Sequence, residues 1–150
     1  MKKILIITLL VLVAIQFIRI DKTNPPVDAE QDYVTMTHAP VEVKNILKRA
    51  CYDCHSNEVK YPWYTNIAPV SWYIKEHINQ GKEYLNFSEF GKYNKYQKEH
   101  VITGLFHVIE KRTMPLDSYV WLHEEAALSA EDNKILLEWF ETFLPQDSVK

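Results

Sequence analysis

Both cysteines of the chain lie in one short stretch, "CYDCHSN", as Cys51 and Cys54, with His55 directly after the second. Three chemistries could use such a pair: a disulfide, half of a metal site, or the attachment of a c-type haem. Haem attachment needs two thiols to add across the two porphyrin vinyl groups, and a histidine beside the second thiol to ligate the iron. C-x-x-C-H supplies all three in one turn of chain. A structural zinc site wants four ligands, usually as two pairs. No second C-x-x-C exists, and His100 and His107 are seven residues apart, too far for a pair on adjacent turns. A thiol redox pair would be expected in a βαβ setting, which has no counterpart in this chain. A plain disulfide remains open for an exported protein. The spacing favours one covalently attached haem c per chain, with His55 on its iron.

The second axial position then decides the function. It is filled by Met, His, solvent or nothing. Of three methionines, Met1 starts the chain, Met36 lies near the N-terminal linker, and Met114 stands in "RTMPL", well downstream of the cysteines. A thioether on a segment restrained by Pro115 reaches an iron with little ordering cost. Met/His ligation gives a relatively high potential and a closed iron, the pattern of an electron carrier rather than an enzyme. His77, on the apolar face of a helix, is the strongest rival. His38, His100, His107 and His123 read as packing or surface histidines. If Met114 does not ligate, the open iron suits a peroxidase or a sensor of diatomic gases. No charged catalytic pair stands beside the motif in the sequence, which favours the carrier.

The rest of the chain narrows the setting. Its 150 residues suffice for one domain with a core, and 13% of them are aromatic. Net charge is −3 with no basic run, which argues against nucleic acid as a partner. Three glycines and no Gly-rich fingerprint argue against phosphate loops. The chain opens "MKKILIITLLVLVAIQFIRI": two lysines, then an apolar run without a small-x-small cleavage site after it. This reads as an uncleaved signal anchor over residues 1–20, with the following domain outside the cytoplasmic face of a bacterial inner membrane, in the periplasm or at the cell exterior. The polar, proline-containing residues 21–32 read as a linker, 33–145 as the folded domain, and 146–150 as a tail.

The domain that must position these residues reads as all-α. In "PVEVKNILKRACYDCH" the residues Val43, Ile46, Leu47, Ala50 and Cys54 recur at helical spacing and run into the motif. "NEVKYPWYTNIAPV" is proline-broken and reads as a loop. A second helix starts at Pro69 with Val70, Tyr73, Ile74, His77 and Ile78 on one face, and Gly81 reads as its stop. A third is expected over residues 93–111. "TMPLDSYVWLHEEAAL" reads as a loop. The last helix opens with an S-x-x-D capping box in "SAED" and is expected to end at Pro145. The aromatics Trp63, Tyr64, Trp72, Tyr73 and Trp121 are available to enclose a macrocycle, whereas Trp139 reads as core.

The run "CYDCHSNEVKYPWYTNIAPVSWYIKEHINQGKEYLNFSEF" closely resembles the small exported haem-binding domain family of bacteria, and so does "MPLDSYVWLHEEAALSAEDNKILLEW". The likeness covers about residues 41–143. The Met-Pro pair and the last helix are also similar to those of class I cytochromes c. This resemblance implies a small cytochrome c-like helical domain, with Cys51 and Cys54 as attachment residues, His55 as proximal ligand and Met114 as distal ligand. It implies electron exchange with redox partner proteins near the membrane, and names no pathway.

Overall fold

The computed structural model describes residues 1–144, and every regular element there is helical. Pro145 and the 146–150 tail lie outside the described residues. The apolar N-terminal run forms α1 (Lys2–Ile15). Among the described residues no helix is long and apolar enough to cross a membrane. The domain proper is built from α2 (Tyr33–Met36), α3 (Val41–Ala50), α4 (Tyr52–His55), α5 (Val70–Tyr84), α6 (Lys95–Glu110), α7 (Asp117–Val120) and α8 (Ala130–Glu141).

The core forms where the apolar stripes of α3, α6 and α8 meet α2 and the turns after α5. On α3, Val43, Ile46, Leu47 and Ala50 are all buried, at the i, i+3, i+4, i+7 spacing of one helix face. The three larger side chains, Val43, Ile46 and Leu47, contribute about 1.5–3 kcal/mol each when removed fully from water. α6 adds Val101, Ile102, Leu105 and Ile109, and α8 adds Leu136 and Phe140. Tyr33, Leu47, Phe87, Leu136 and Phe140 are wholly enclosed. The ends of the domain are joined there: the Trp139 indole N–H donates to the Tyr33 hydroxyl oxygen at 3.0 Å.

The helix ends follow side-chain chemistry. The expected capping box of α8 is present, with Ser129 accepting from the Asp132 amide and the Asp132 carboxylate accepting from the Ser129 amide. α6 starts at Lys95 and not at residue 93, because the Asn94 side chain caps the Gln97 amide and Gln97 returns the bond. α6 ends in a Schellman turn: Arg112 N–H donates to Ile109 O, and Thr113 N–H to Val108 O. The turn residue is Arg112 at φ 53°, a position that glycine usually takes. α2 closes the same way through His38 at φ 52°.

Gly81 is not a stop. α5 runs through it to Tyr84. The stretch read as a loop before α5 holds a 3-10 turn, Trp63–Asn66; another, Phe87–Lys92, follows α5, and the stretch after α6 holds α7 and a third, Glu124–Ala126.

Candidate functional site

The chain bends at Cys51, whose φ/ψ of −125°/−38° ends α3 and lets Cys54 and His55 complete a separate turn on the Cys51 carbonyl. The residues between the cysteines fasten this turn on both sides. Tyr52 points into the core, stacks on Phe87 with ring centres 4.8 Å apart and planes 1° from parallel, and donates its hydroxyl to Asp32. Asp53 points the other way and accepts from the Tyr119 hydroxyl at 2.8 Å.

His55 is held in one orientation. Its Nδ1 lies 3.2 Å from the Leu85 carbonyl oxygen. A carbonyl only accepts, so Nδ1 carries the proton and Nε2 keeps its lone pair. Burial pushes the His55 pKa down, against the pull of the Leu85 and Gly81 carbonyls, so the ring is held neutral, as a metal-binding imidazole must be. The ring centre lies 6.5 Å from that of Phe87, with the two planes at 73°.

The two residues after the motif lock it to the turns beyond α5. Ser56 Oγ donates to Tyr52 O, Asn57 N–H donates to Ser88 Oγ, and Asn86 Nδ2 donates to Asn57 Oδ1, all in buried surroundings. Asn57, Leu85, Asn86 and Ser88 went unmarked in the sequence. The polar residues of "SN" and "NFS", on either side of α5, are the only trace of three of them, and Leu85 acts through its backbone carbonyl, which leaves none.

Gly81 explains how α5 comes so close. A Cβ at this position would lie 2.9 Å from the Cys54 carbonyl oxygen and 3.4 Å from His55 Cε1. Gly81→Val is therefore expected to lower stability by about 1–3 kcal/mol, because a backbone atom has to move. Gly104→Ala meets only the outer end of the Tyr84 side chain, its hydroxyl and the ring carbons beside it; that side chain is half-exposed and can swing aside, so the variant should stay within about 1 kcal/mol of the parent. Thermal unfolding of the two variants checks this.

Both cysteines are free thiols. Burial, then the neighbouring Cys54, raises the Cys51 pKa to about 12, and burial with Asp53 raises that of Cys54 to about 11. Thiol redox pairs work through lowered pKa values, so these surroundings argue against that chemistry. Among the described residues no three His, Cys, Asp or Glu side chains gather as a metal cage, which leaves the zinc reading without support.

The segment after α6 is folded back beside the motif. Tyr119 reaches Asp53, and its ring stacks on His123 at 4.3 Å. His123 Nδ1 faces the Glu125 carboxylate at 3.2 Å, so its Nε2 accepts from the Tyr64 hydroxyl at 2.7 Å. Arg49 donates to the Glu125 and Ala127 carbonyls and pairs with Asp132. Met114, half-buried, opens this fastened segment. The sequence shows no charged catalytic pair beside the motif; the fold brings Tyr119, His123 and Glu125 there from far along the chain. His77, the rival ligand, is half-buried on α5 with Nδ1 bonded to its own helix at Tyr73 O.

A model of the haem-binding domain family matches residues 10–142. The chain belongs to the haem-binding domain family. No curated protein and no solved structure was found to match it. The donor set of this haem-binding domain fits the group: two unbridged thiols three residues apart and a neutral imidazole with Nε2 free. The surface fits as well. Trp63, Trp121 and Leu122 stand largely exposed on the two segments that Tyr64 and His123 join, offering apolar area for a flat macrocycle.

Proposed function

We propose that this haem-binding domain is a mono-haem c-type cytochrome that passes single electrons between protein partners. Cys51 and Cys54 would hold the porphyrin through thioether bonds, and His55 Nε2 and Met114 Sδ would take the two axial positions. The observation that carries this reading is the bond from His55 Nδ1 to the Leu85 carbonyl, which fixes the tautomer and leaves the lone pair on Nε2, one residue after a free thiol. When bound, the haem supplies one-electron chemistry at a potential set by its axial ligands. The chain supplies the rest. The Leu85 carbonyl orients the imidazole, Phe87 walls one side of it, and the Asp53–Tyr119 bond ties the segment that follows Met114 to the motif. α1 would keep the domain at the outer face of the inner membrane, where its redox partners would also lie.

One observation favours a second reading. The Tyr64–His123–Glu125 chain, with Tyr119 and Asp53, places proton-carrying groups beside Cys54. With Met114 off the iron, that cluster would suit peroxide or a bound diatomic gas.

The test is an absorption spectrum of the full chain, exported in a host that matures c-type cytochromes. Haem bands are expected to survive denaturation and extraction, and to be lost in the double variant Cys51→Ala/Cys54→Ala. Haem that washes out of the parent protein would overturn covalent attachment. A high-spin spectrum that shifts with carbon monoxide would move the conclusion to the open-iron reading.

A further inference from the structure

α1 is not tethered loosely. Five side-chain bonds tie the chain just after it to the corner formed by the Trp63–Asn66 turn and the start of α5. Gln16 clasps the Ala68 backbone from both sides, donating to its carbonyl at 2.9 Å and accepting from its N–H at 3.0 Å. The Trp72 indole N–H donates to Ile18 O at 3.0 Å. Arg19 donates to Asn66 O and Lys22 to Asn66 Oδ1. Farther on, Asn24 donates to Val59 O. The match to the haem-binding domain family begins at residue 10, inside α1, so this strap belongs to the matched region.

The corner carries apolar surface beside the clasp. Ile67 and Val70 flank the clamped Ala68 and are 45% and 46% exposed, next to Phe17 at 83% and Ile18 at 61%. Between strap and corner lies a cleft of about 360 Å³ lined in part by Arg19, Lys22, Asn66 and Ser71. Both of its cations are met by neutral oxygens, and the intervening Asp21 carboxylate is turned to the Thr23 amide. The cleft therefore presents positive charge beside an apolar rim.

We propose that this corner is a lipid-facing surface, seated in the headgroup layer of an anionic bilayer, with Ile67 and Val70 in the interface and Arg19 and Lys22 on lipid phosphates. The length of α1 supplies the reason. Its 14 residues rise about 21 Å, against a hydrocarbon core of about 30 Å. Once its apolar surface is buried in lipid, with Lys2 and Lys3 reaching for the far headgroups, Gln16 lies below the near headgroups and draws Ala68 down with it. The domain is thus held in one orientation and does not swing on a flexible tether. This inference rests on the membrane-anchor part of the proposed function and is independent of haem attachment.

The test uses the full chain in vesicles of phosphatidylglycerol and phosphatidylcholine with brominated acyl chains, which quench tryptophan emission on contact. Ile67→Trp, and separately Val70→Trp, place a reporter at the corner. The added emission is expected to fall by half or more in brominated lipid. Adding Gln16→Leu and Arg19→Gln should abolish most of the quenching at position 67 while the chain still floats with the vesicles. A chain that floats with both reporters unquenched would overturn the orientation alone. A chain that does not float would overturn the anchor and this inference together.

Discussion

Phe87→Ala is expected to lower the unfolding free energy by about 3–5 kcal/mol, a large share of what a domain of this size has. The phenyl ring is wholly enclosed. It lies flat against Tyr52 at 4.8 Å, meets Tyr33 at a steep angle at 5.4 Å, and meets His55 at a steep angle at 6.5 Å. Removing it leaves a cavity beneath the motif whose walls are fixed. Tyr33 is tied to Trp139, and Tyr52 is tied to Asp32, so neither ring can settle into the space without giving up a hydrogen bond. The loss also reaches the site, because Tyr52 lies between the two cysteines and His55 loses one wall. Urea unfolding followed by far-UV circular dichroism should show a lower midpoint with an unchanged slope. Trp121→Ala, at a position 82% exposed, should stay within about 0.5 kcal/mol of the parent without haem. If both variants unfold alike, the packing beneath the motif is not as described.

Met114→Ala has the largest expected effect on function. In the haem-loaded chain it should abolish the weak sulfur-to-iron absorption band, turn a low-spin spectrum high-spin, and admit carbon monoxide. The reduction potential should fall by on the order of a few tenths of a volt, within the roughly 0.8 V that axial ligands span. Tyr119→Phe separates ligation from positioning. It removes a 2.8 Å bond to the Asp53 carboxylate, worth about 1.5–3 kcal/mol for a charged acceptor. Haem content should be unchanged while the sulfur band weakens, since the Met114 segment keeps only its Arg49 and Tyr64 fastenings. A spectrum that stays low-spin in Met114→Ala would point to a nitrogen ligand. His77, whose Nδ1 already bonds Tyr73 O, would then be the next residue to replace.

What was legible in the sequence was what short-range chemistry encodes. The C-x-x-C-H spacing, the apolar stripe of α3 and the Ser129–Asp132 box each lie within a few turns of chain; the box appears where expected, and the stripe does as far as Ala50, but the helix breaks at Cys51 and Cys54 falls on a separate turn. The bracing of the site is different in kind. Asp53 and Tyr119 are 66 residues apart, and His55 and Leu85 are 30 apart. Neither pair has a local signature, and one partner of the second is a backbone carbonyl, which no residue type announces. Residues 21–32 showed no periodicity and read as a linker; Lys22 and Asn24 bond to the domain, and Asp32 is buried under Tyr52. A polar segment held by single side-chain bonds leaves no repeating pattern to find. Gly81 was misread because a glycine near the end of an apolar stripe resembles a stop, whereas here it makes room for a neighbouring backbone.

That use of glycine has a consequence for the unfolded chain. None of the three glycines takes a positive φ; all sit where another part of the protein passes close, and the left-handed turns fall to His38 and Arg112. With three glycines and seven prolines in 150 residues, the denatured ensemble is stiffer than that of a glycine-rich chain, and folding has less backbone freedom to remove. The strain at two turns is the counterpart of that economy: the chain accepts two uncomfortable residues in the native state and keeps its unfolded state narrow.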